Sequence, residues 1–281
     1  MPTTLAAQLF TLRAFTKTPA EIAATLKRVR QIGYEAVQCS ALGPIDPKEL
    51  SKILQGEGLV CCATHVPWDR LCEKTDQVIE EHRIIGCMYP ALGSMPAAQY
   101  PRTAEGFMAF ARDASEVARK FAAAGMVFGY HNHNFEFEKF DGRTGLDILI
   151  DHSDPALTFE IDTYWVQAGG GDPAAWIRRV SRRIPLVHLK DMAFGQDRNA
   201  VLPTRLPGES DADYQKRADA ATGKKQLMAE VGEGNMNFAE ILRACREAGV
   251  KWHIVEQDVC QRDPFESLAI SLRNLRAMGL S

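Results

Sequence analysis

The sequence has no excess of basic residues. Its 281 residues include 33 lysines and arginines against 36 aspartates and glutamates, which gives a formal net charge of −3. A basic stripe of the kind that follows a nucleic-acid backbone or an anionic membrane surface is therefore missing. Apolar runs long enough to cross a bilayer are missing as well. We expect a protein that binds neither nucleic acid nor membrane.

Signals for export and for cysteine-based metal sites are also missing. The opening residues, MPTTLAAQLFTLR, do not show a basic start followed by the apolar core of a signal peptide. The seven cysteines are an odd number, and none forms a CxxC pair typical of a structural metal site. We predict reduced, mostly buried thiols in a cytoplasmic protein.

What the sequence does contain is an alternation of short apolar runs and longer amphipathic stretches. LAAQLF (5–10) and YEAVQCS (34–40) are strand-like, whereas AEIAATLKRVRQIG (20–33) has the apolar spacing of a helix. Eight such strand–helix units follow one another, and parallel strands buried on both faces appear as apolar runs. The pattern predicts an α/β protein, a (β/α)₈ TIM barrel that forms a single domain over 1–281. A doubly wound sheet is the alternative, but no GxGxxG follows the first run.

One region does not fit the alternation. Residues 192–228, after the seventh predicted strand, are polar, mixed in charge and too long for an ordinary connection. Loops of this length are usually lids, partner-binding elements or disordered segments. We predict an extended loop that covers the barrel mouth or packs on a second subunit, so a homo-oligomer is one possibility.

Polar side chains stand where the predicted strands end, and active groups of a TIM barrel gather at those ends. The candidates are Gln8, His65, His131, His133, Asp162, His188, Lys190 and Glu256. Four successive strands, five to eight, end with imidazole or carboxylate groups, which are ligands that suit Mn²⁺, Co²⁺, Zn²⁺ or Mg²⁺. The fifth strand is predicted as MVFGYHNHN (126–134), so His131 and His133 are expected to share one strand face.

Each of these residues alone also has a structural explanation. A single histidine at a strand end is more often a hydrogen-bonded structural residue, and Asp162 before Thr163 could cap the following turn. Glu256 could be half of a buried ion pair, and Lys190 could be a solvated loop lysine. The structural explanation would have to apply independently at four neighbouring strands, so the set favours a divalent metal site.

Five segments in order carry a resemblance to a known family: YHNHNFEFEKFDG, FEIDTYWVQAGGGDPAAWI, PLVHLKDM, EVGEGNMNF and HIVEQD. Together they resemble the xylose-isomerase-like barrel superfamily of sugar isomerases, epimerases and dehydratases, and the resemblance covers nearly the whole chain. The HNH stretch and the DTxW and HLKD motifs are similar to the branch that holds inosose dehydratase and many sugar phosphate isomerases/epimerases.

The resemblance implies a metal held by Glu, Asp, His and Glu from strands five to eight. The last three positions correspond to Asp162, His188 and Glu256. At the first position the epimerases have Glu, and this sequence has His131, with Glu136 as the nearest carboxylate. We favour His131 because it lies at the strand end itself, and Glu136 remains the alternative. This departure puts a two-glutamate epimerase mechanism in doubt.

The implied chemistry is proton transfer at a carbon next to a carbonyl of a sugar or polyol, through a metal-stabilised ene-diolate. Glu256 would be both ligand and base, with His133 or Glu136 as a second acid/base. The residues expected to bind substrate are Lys190, Trp165, His65 and Gln8. We therefore predict a metal-dependent sugar isomerase or epimerase. A lyase of the inosose dehydratase or keto-glycoside eliminase kind and a non-catalytic barrel subunit are the alternatives.

Overall fold

Eight parallel strands form the centre of the fold in the computed structural model, which describes residues 5–195, 201–223 and 225–280. They close into a barrel in which each strand pairs with the barrel strands before and after it in the chain, and the last strand pairs with the first. The barrel strands are β1 (Leu5–Gln8), β2 (Ala36–Cys39), β3 (Val60–His65), β4 (Pro90–Leu92), β5 (Gly129–His131), β8 (Thr158–Asp162), β9 (Leu186–Leu189) and β12 (Trp252–Val255). Outside the barrel, β6 (Lys139–Phe140) and β7 (Arg143–Thr144) form a short antiparallel pair. The prediction of a (β/α)₈ barrel is confirmed.

Helices surround this barrel. They are α1 (Pro19–Ile32), α2 (Pro47–Glu57), α3 (Trp68–Glu73), α4 (Thr75–Ile85), α5 (Ala104–Ala123), α6 (Gly145–His152), α7 (Thr163–Ala168), α8 (Pro173–Arg179), α9 (Asp211–Thr222), α10 (Phe238–Ala248) and α11 (Pro264–Ala277). Local sequence explains their limits. For example, Thr18 and Glu21 form a capping box at the start of α1, and Gly33, with φ of 114°, ends that helix in a left-handed conformation.

The barrel interior is filled in layers. Near the amino ends of the strands it holds apolar residues, among them Ala6, Ala36, Leu186 and Ile254. Because side chains alternate along a strand, the residue two positions later also points inward. Those positions are Gln8, Gln38, His188 and Glu256, all buried. The sequence therefore places an apolar floor below a polar layer at the carboxyl end of the barrel.

The fifth strand is shorter than predicted. β5 ends at His131, and the chain then turns into a short 3₁₀ helix, Phe135–Phe137. The expectation that His131 and His133 share a strand face is therefore wrong, because His133 lies beyond the strand. Asn132 fixes the turn: its side-chain oxygen accepts the Asp162 N–H at 3.0 Å, and its amide donates to the His133 carbonyl at 3.1 Å.

The region after β9 is not an irregular loop. Strands β10 (Asp191–Gly195) and β11 (Lys225–Ala229) pair in antiparallel fashion, and α9 lies between them in the chain. We call residues 191–229 the insert; positions 196–200 and 224 lie outside the described residues. The Asp191 carboxylate anchors the insert by accepting backbone N–H groups of Gly232, Gly234 and Met236 at 2.9–3.2 Å. A covering or subunit-binding role of the insert stays a prediction.

Two other expectations concern the helices and the cysteines. None of the helices formed by the described residues combines the length and apolar character required to cross a bilayer. All seven cysteines are free thiols, and five of them are buried.

Candidate active site and metal centre

Four side chains from neighbouring strands meet at the carboxyl end of the barrel. His131 ends β5, Asp162 ends β8, His188 lies in β9 and Glu256 directly follows β12. Each offers one nitrogen or oxygen atom, and these four atoms lie within 4.8 Å of one another, all in buried residues. The fold thus brings together the four residues that the sequence assigned to a metal.

The His131 ring is oriented by the backbone. Its Nδ1 lies 3.0 Å from the carbonyl oxygen of Gly93, which can only accept a hydrogen bond, so the neutral ring carries its proton on Nδ1. The Nε2 lone pair then points toward Oδ2 of Asp162, 3.1 Å away. A nitrogen lone pair and a carboxylate oxygen at this distance repel each other unless a cation or a proton lies between or beside them, and the Lys190 ammonium lies 3.0 Å from the same oxygen.

The His188 ring is oriented by side chains below it. The Gln38 amide donates to the Glu160 carboxylate at 2.9 Å, so the oxygen of that amide faces Nε2 of His188 at 2.6 Å. Glu160 Oε1 also lies 3.0 Å from Nε2, so both neighbours are acceptors and Nε2 carries the proton. The Nδ1 atom of His188 faces Oε2 of Glu256 at 2.7 Å. Among the described residues, Nδ1 of His188 has no hydrogen-bond partner of acceptable geometry, whereas Oε2 of Glu256 is also approached by the Lys190 ammonium at 2.8 Å.

These residues fit a divalent cation. Two imidazole lone pairs and two carboxylates converge on one point, the charge of the carboxylates is −2, and each histidine has its outer N–H held by an acceptor, as metal-ligating histidines usually do. A proton on His188 also satisfies these atoms: although burial lowers the pKa of His188, the charges of Glu160 and Glu256 raise it well above its usual value. A metal ion and this proton therefore compete for Nδ1.

Lys190 is buried and is not a solvated loop residue. Its ammonium nitrogen lies 2.8 Å from Glu256 Oε2, 2.9 Å from Asp258 Oδ2 and 3.0 Å from Asp162 Oδ2. Burial on its own raises the pKa of the Asp162 and Glu256 carboxyls, but the Lys190 charge and the neighbouring histidines hold both well below their usual range. Both carboxylates are consequently ionised, as metal ligands must be.

A cavity of about 710 Å³ opens above these groups. Its wall includes the rings of Phe10, Trp68 and Trp165, and His65, Lys190 and Glu256 also line it. Apolar rings beside a few convergent polar groups are typical of small-molecule sites. The predicted substrate residues Lys190, Trp165 and His65 therefore lie where they can contact a bound molecule.

His133 lies on the cavity wall beyond the metal-ligand candidates. Its ring is 4.9 Å from the His131 ring and 5.4 Å from the Trp165 ring, measured between centroids. Burial, with help from the nearby His131, lowers the pKa of His133 to about 3. The imidazole is therefore neutral at ordinary pH and can accept a proton or hydrogen bond from a molecule in the cavity.

Glu136 and Gln8 are buried away from the cavity wall. Glu136 accepts the Tyr130 hydroxyl at 2.6 Å and the His133 backbone N–H at 3.0 Å, so it supports the turn that carries His133. Gln8 donates to Gln38 at 2.7 Å, and both side chains are fully buried. These positions suit structural support, and they give neither residue the direct contact with substrate that the sequence suggested.

Three residues of the site were not assigned from the sequence: Glu160, Gln38 and Asp258. A signal for each exists in strand alternation, because Glu160 precedes Asp162 by two residues, Gln38 follows the inward Ala36 by two, and Asp258 follows Glu256 by two. The sequence alone does not show that Glu160 would contact residues from three other strands.

Comparison with known proteins agrees with this architecture. The family model described as xylose isomerase-like TIM barrel matches residues 26–278. The rhizopine catabolism protein MocC of Rhizobium meliloti is 26% identical over an alignment of 277 positions, and the match covers 90% of this chain and 80% of MocC.

Solved structures share the fold at low sequence identity. A sugar phosphate isomerase/epimerase from Parabacteroides distasonis matches with a TM-score of 0.74 and 19% identity over 99% of this chain and 94% of its own. A structure of L-ribulose 3-epimerase has a TM-score of 0.66 and 18% identity, over 99% of this chain and 94% of its own. The probable 3-DHS dehydratase AsbF from Bacillus anthracis has a TM-score of 0.64 and 13% identity, over 98% of this chain and 99% of its own. With a family match over most of its length and a closed eight-stranded barrel, this chain belongs to the xylose isomerase-like TIM barrel family.

Proposed function

We propose that this protein is a divalent-metal-dependent isomerase or epimerase of a sugar or polyol. The observation that carries the proposal is the convergence of two imidazole lone pairs and two carboxylates at the floor of an open cavity with aromatic walls. The relatives named above include a sugar phosphate isomerase/epimerase and an L-ribulose 3-epimerase, which supports the same class of reaction.

The ion would be held by His131, Asp162, His188 and Glu256. When bound, it would polarise a carbonyl and neighbouring hydroxyl of the substrate and stabilise the negative charge that forms when a proton leaves the adjacent carbon. Glu256 lines the cavity and can take that proton, while the Lys190 ammonium can hold a substrate oxygen. Trp165 provides a flat apolar wall against which the CH face of a sugar ring can pack.

A second candidate is a lyase that removes water or an alcohol from the same type of substrate. The two carboxylates among the described cavity-lining residues, Glu256 and Asp258, both follow β12, so they reach a substrate from one wall. Epimerisation needs proton donors on both faces of a carbon, and the opposite wall offers the imidazoles of His65 and His133 instead. Elimination requires only a base and a hydrogen-bond donor that stabilises the leaving oxygen, and the Lys190 ammonium can supply that hydrogen bond.

The test combines metal analysis with proton exchange. We expect about one divalent ion per chain after purification, and incorporation of deuterium next to the carbonyl when the protein is incubated with ketoses in D₂O. Exchange without loss of water supports the isomerase or epimerase, and loss of water supports the lyase. A chain that neither retains nor binds a divalent ion and exchanges no proton contradicts the proposal and favours a non-catalytic subunit.

A further inference from the structure

We infer that Glu160 is a positioning residue that fixes the protons of two histidines at once, and that it thereby presents Nδ1 of His65 to the cavity as a proton acceptor. The part of the inference that concerns turnover rests on the proposed function. The orientation of the His65 ring itself does not depend on that function, so the two can fail separately.

The Glu160 carboxylate lies at the centre of the polar layer and is fully buried. Its Oε2 accepts from Nε2 of His65 at 2.7 Å, and its Oε1 lies 3.0 Å from Nε2 of His188 and accepts the Gln38 amide at 2.9 Å. An ionised carboxylate has no proton to donate, so His65 Nε2 and the Gln38 amide must donate to it. Nε2 of His188 donates to Gln38 Oε1 at 2.6 Å and faces Glu160 Oε1 as a second acceptor.

The consequence for His65 is a defined tautomer. With its proton on Nε2, the neutral ring has its lone pair on Nδ1. The neighbours of Nδ1 are the Ser40 hydroxyl, 3.4 Å away, and Gly93, where an added Cβ would come within 3.0 Å. Ser40, Gly93 and His65 all line the cavity, so this lone pair faces the space that a substrate would occupy.

The arrangement parallels a histidine base held by a buried carboxylate. When Nδ1 of His65 takes a proton from a substrate hydroxyl, the electron pair of the broken O–H bond stays on the substrate oxygen. The imidazolium that forms is already paired with Glu160, which stabilises it. The same proton can return to the product oxygen. His65 is thus a base on the cavity wall away from Glu256, and Glu160 acts through it.

His65, Glu160 and His188 also satisfy the distance criterion for a second metal cluster, with their ligand atoms within 4.8 Å of one another. Hydrogen bonding explains these contacts better, because each Nε2 lies 2.7–3.0 Å from a Glu160 oxygen, a distance typical of a direct hydrogen bond. A second ion per chain, lost on substitution of Glu160, would overturn the inference by making Glu160 a ligand.

The decisive variant is Glu160→Gln. A glutamine can keep its carbonyl oxygen toward His188 and Gln38, but its NH₂ group must then face His65. The His65 ring would respond by moving its proton to Nδ1 and accepting the new N–H at Nε2. The base lone pair would then be turned away from the cavity, while the metal ligands keep their orientation.

Ring ¹⁵N chemical shifts of histidine report the tautomer directly and need neither substrate nor metal. We expect the metal-free wild-type protein, with its His65 signal assigned through His65→Gln, to show a protonated Nε2 and an unprotonated Nδ1, and E160Q to show the reverse. E160Q should retain one metal ion per chain and lose about 10²-fold or more in turnover, the usual contribution of one general base. Wild-type His65 protonated at Nδ1, or an unchanged His65 tautomer in E160Q, would overturn the inference.

A second variant tests the His65 face without altering Glu160. Gly93→Ala adds a methyl group about 3.0 Å from Nδ1 of His65 and leaves the backbone carbonyl that orients His131. Turnover should fall while the His65 tautomer and the metal content stay as in the wild type. A G93A protein with full turnover would contradict the role of Nδ1, and it keeps the inference testable if E160Q does not fold.

Discussion

His131 and His133 are separated by one residue, but the end of β5 falls between them and gives them different environments. His131 has its Nδ1 proton fixed by the Gly93 carbonyl and its Nε2 facing Asp162. His133 has a neutral ring beside Trp165 on the cavity wall. These environments suit a metal ligand and a substrate-facing group, respectively.

We therefore expect His131→Ala to weaken metal binding first. His133→Ala should keep the metal and lose turnover by about 10²–10⁴-fold, as expected for one general acid or base. Metal titration and steady-state kinetics on both variants separate the roles. Loss of the metal in H133A but not in H131A would mean that the roles are exchanged, and no effect in either would return the HNH stretch to a structural function.

Glu136 is a buried acid whose effect should appear in stability. Burial raises the pKa of Glu136 from 4.5 to about 7, against the opposing hydrogen bonds from Tyr130 and His133. The folded state therefore holds this proton more tightly than the unfolded state, and its contribution to stability is full below about pH 4.5 and is lost as the pH rises to about 7. The change is on the order of 3 kcal/mol.

The prediction is that Glu136→Gln, which is neutral at every pH, gains stability relative to the wild type as the pH rises from 5 to 8. Chemical denaturation of both proteins across this range measures the difference. Glu138→Gln, at an exposed position two residues away, is the matched control and should leave the slope unchanged. Parallel wild-type and E136Q curves would contradict the raised pKa of Glu136.

Residue types and strand ends were sufficient to predict the four ligand candidates, because the barrel brings the carboxyl ends of neighbouring strands together. The roles of Glu136 and Gln8 were not predictable in the same way. Whether a polar side chain faces the cavity or supports a turn depends on where the strand ends, and β5 ends earlier than its apolar pattern indicates. Asp162 caps α7 through Oδ1, which accepts the Trp165 N–H at 3.0 Å, and its Oδ2 faces His131, so the cap leaves one oxygen for the proposed metal.

At the scale of elements, the alternation of apolar runs predicted the eight barrel strands, but the insert was mistaken for an irregular loop. Its helix α9 is polar, and β10 and β11 are recognisable only once their pairing is known, since their cross-strand partners lie 30 to 38 residues apart in the chain. The insert begins one residue after β9, and its Met228 lines the cavity.

The position of the insert motivates a proteolysis experiment. If the insert closes over a bound molecule, trypsin cleavage within 205–222 should slow when a substrate analogue is present. Arg205 is exposed and paired with Asp211 at 2.6 Å, which makes the bond after it a convenient reporter. Cleavage in the exposed part of α2, after Lys52, serves as the control for general stabilisation. Equal rates after Arg205 with and without the analogue would remove the lid role of the insert.

At the scale of the whole molecule, the candidate ligands join three strands and the end of a fourth, so metal binding should be linked to folding. Within the polar layer, the negative charges of Asp162, Glu160 and Glu256 are balanced by Lys190 and the histidines. A divalent ion that binds only the folded state adds positive charge there and stabilises that state. At a metal concentration 100 times the Kd, the expected stabilisation is about 2.7 kcal/mol. For a chain of this size, that corresponds to a rise in Tm of roughly 5 °C.

Asp162→Asn isolates this linkage from ordinary loss of structure. The amide oxygen of the asparagine can still cap α7, whereas its NH₂ group replaces the carboxylate oxygen that faces His131 and cannot bind a cation. The variant should therefore fold and should show little or no rise in Tm on addition of Mn²⁺, Co²⁺, Zn²⁺ or Mg²⁺. Asp162→Ala should lose the same metal response. Its free energy of unfolding should also be about 1 kcal/mol lower than that of D162N, because the helix cap is removed as well. Thermal denaturation with and without each ion measures both effects. A full metal-dependent rise in Tm in the D162N protein would show that Asp162 is not a ligand.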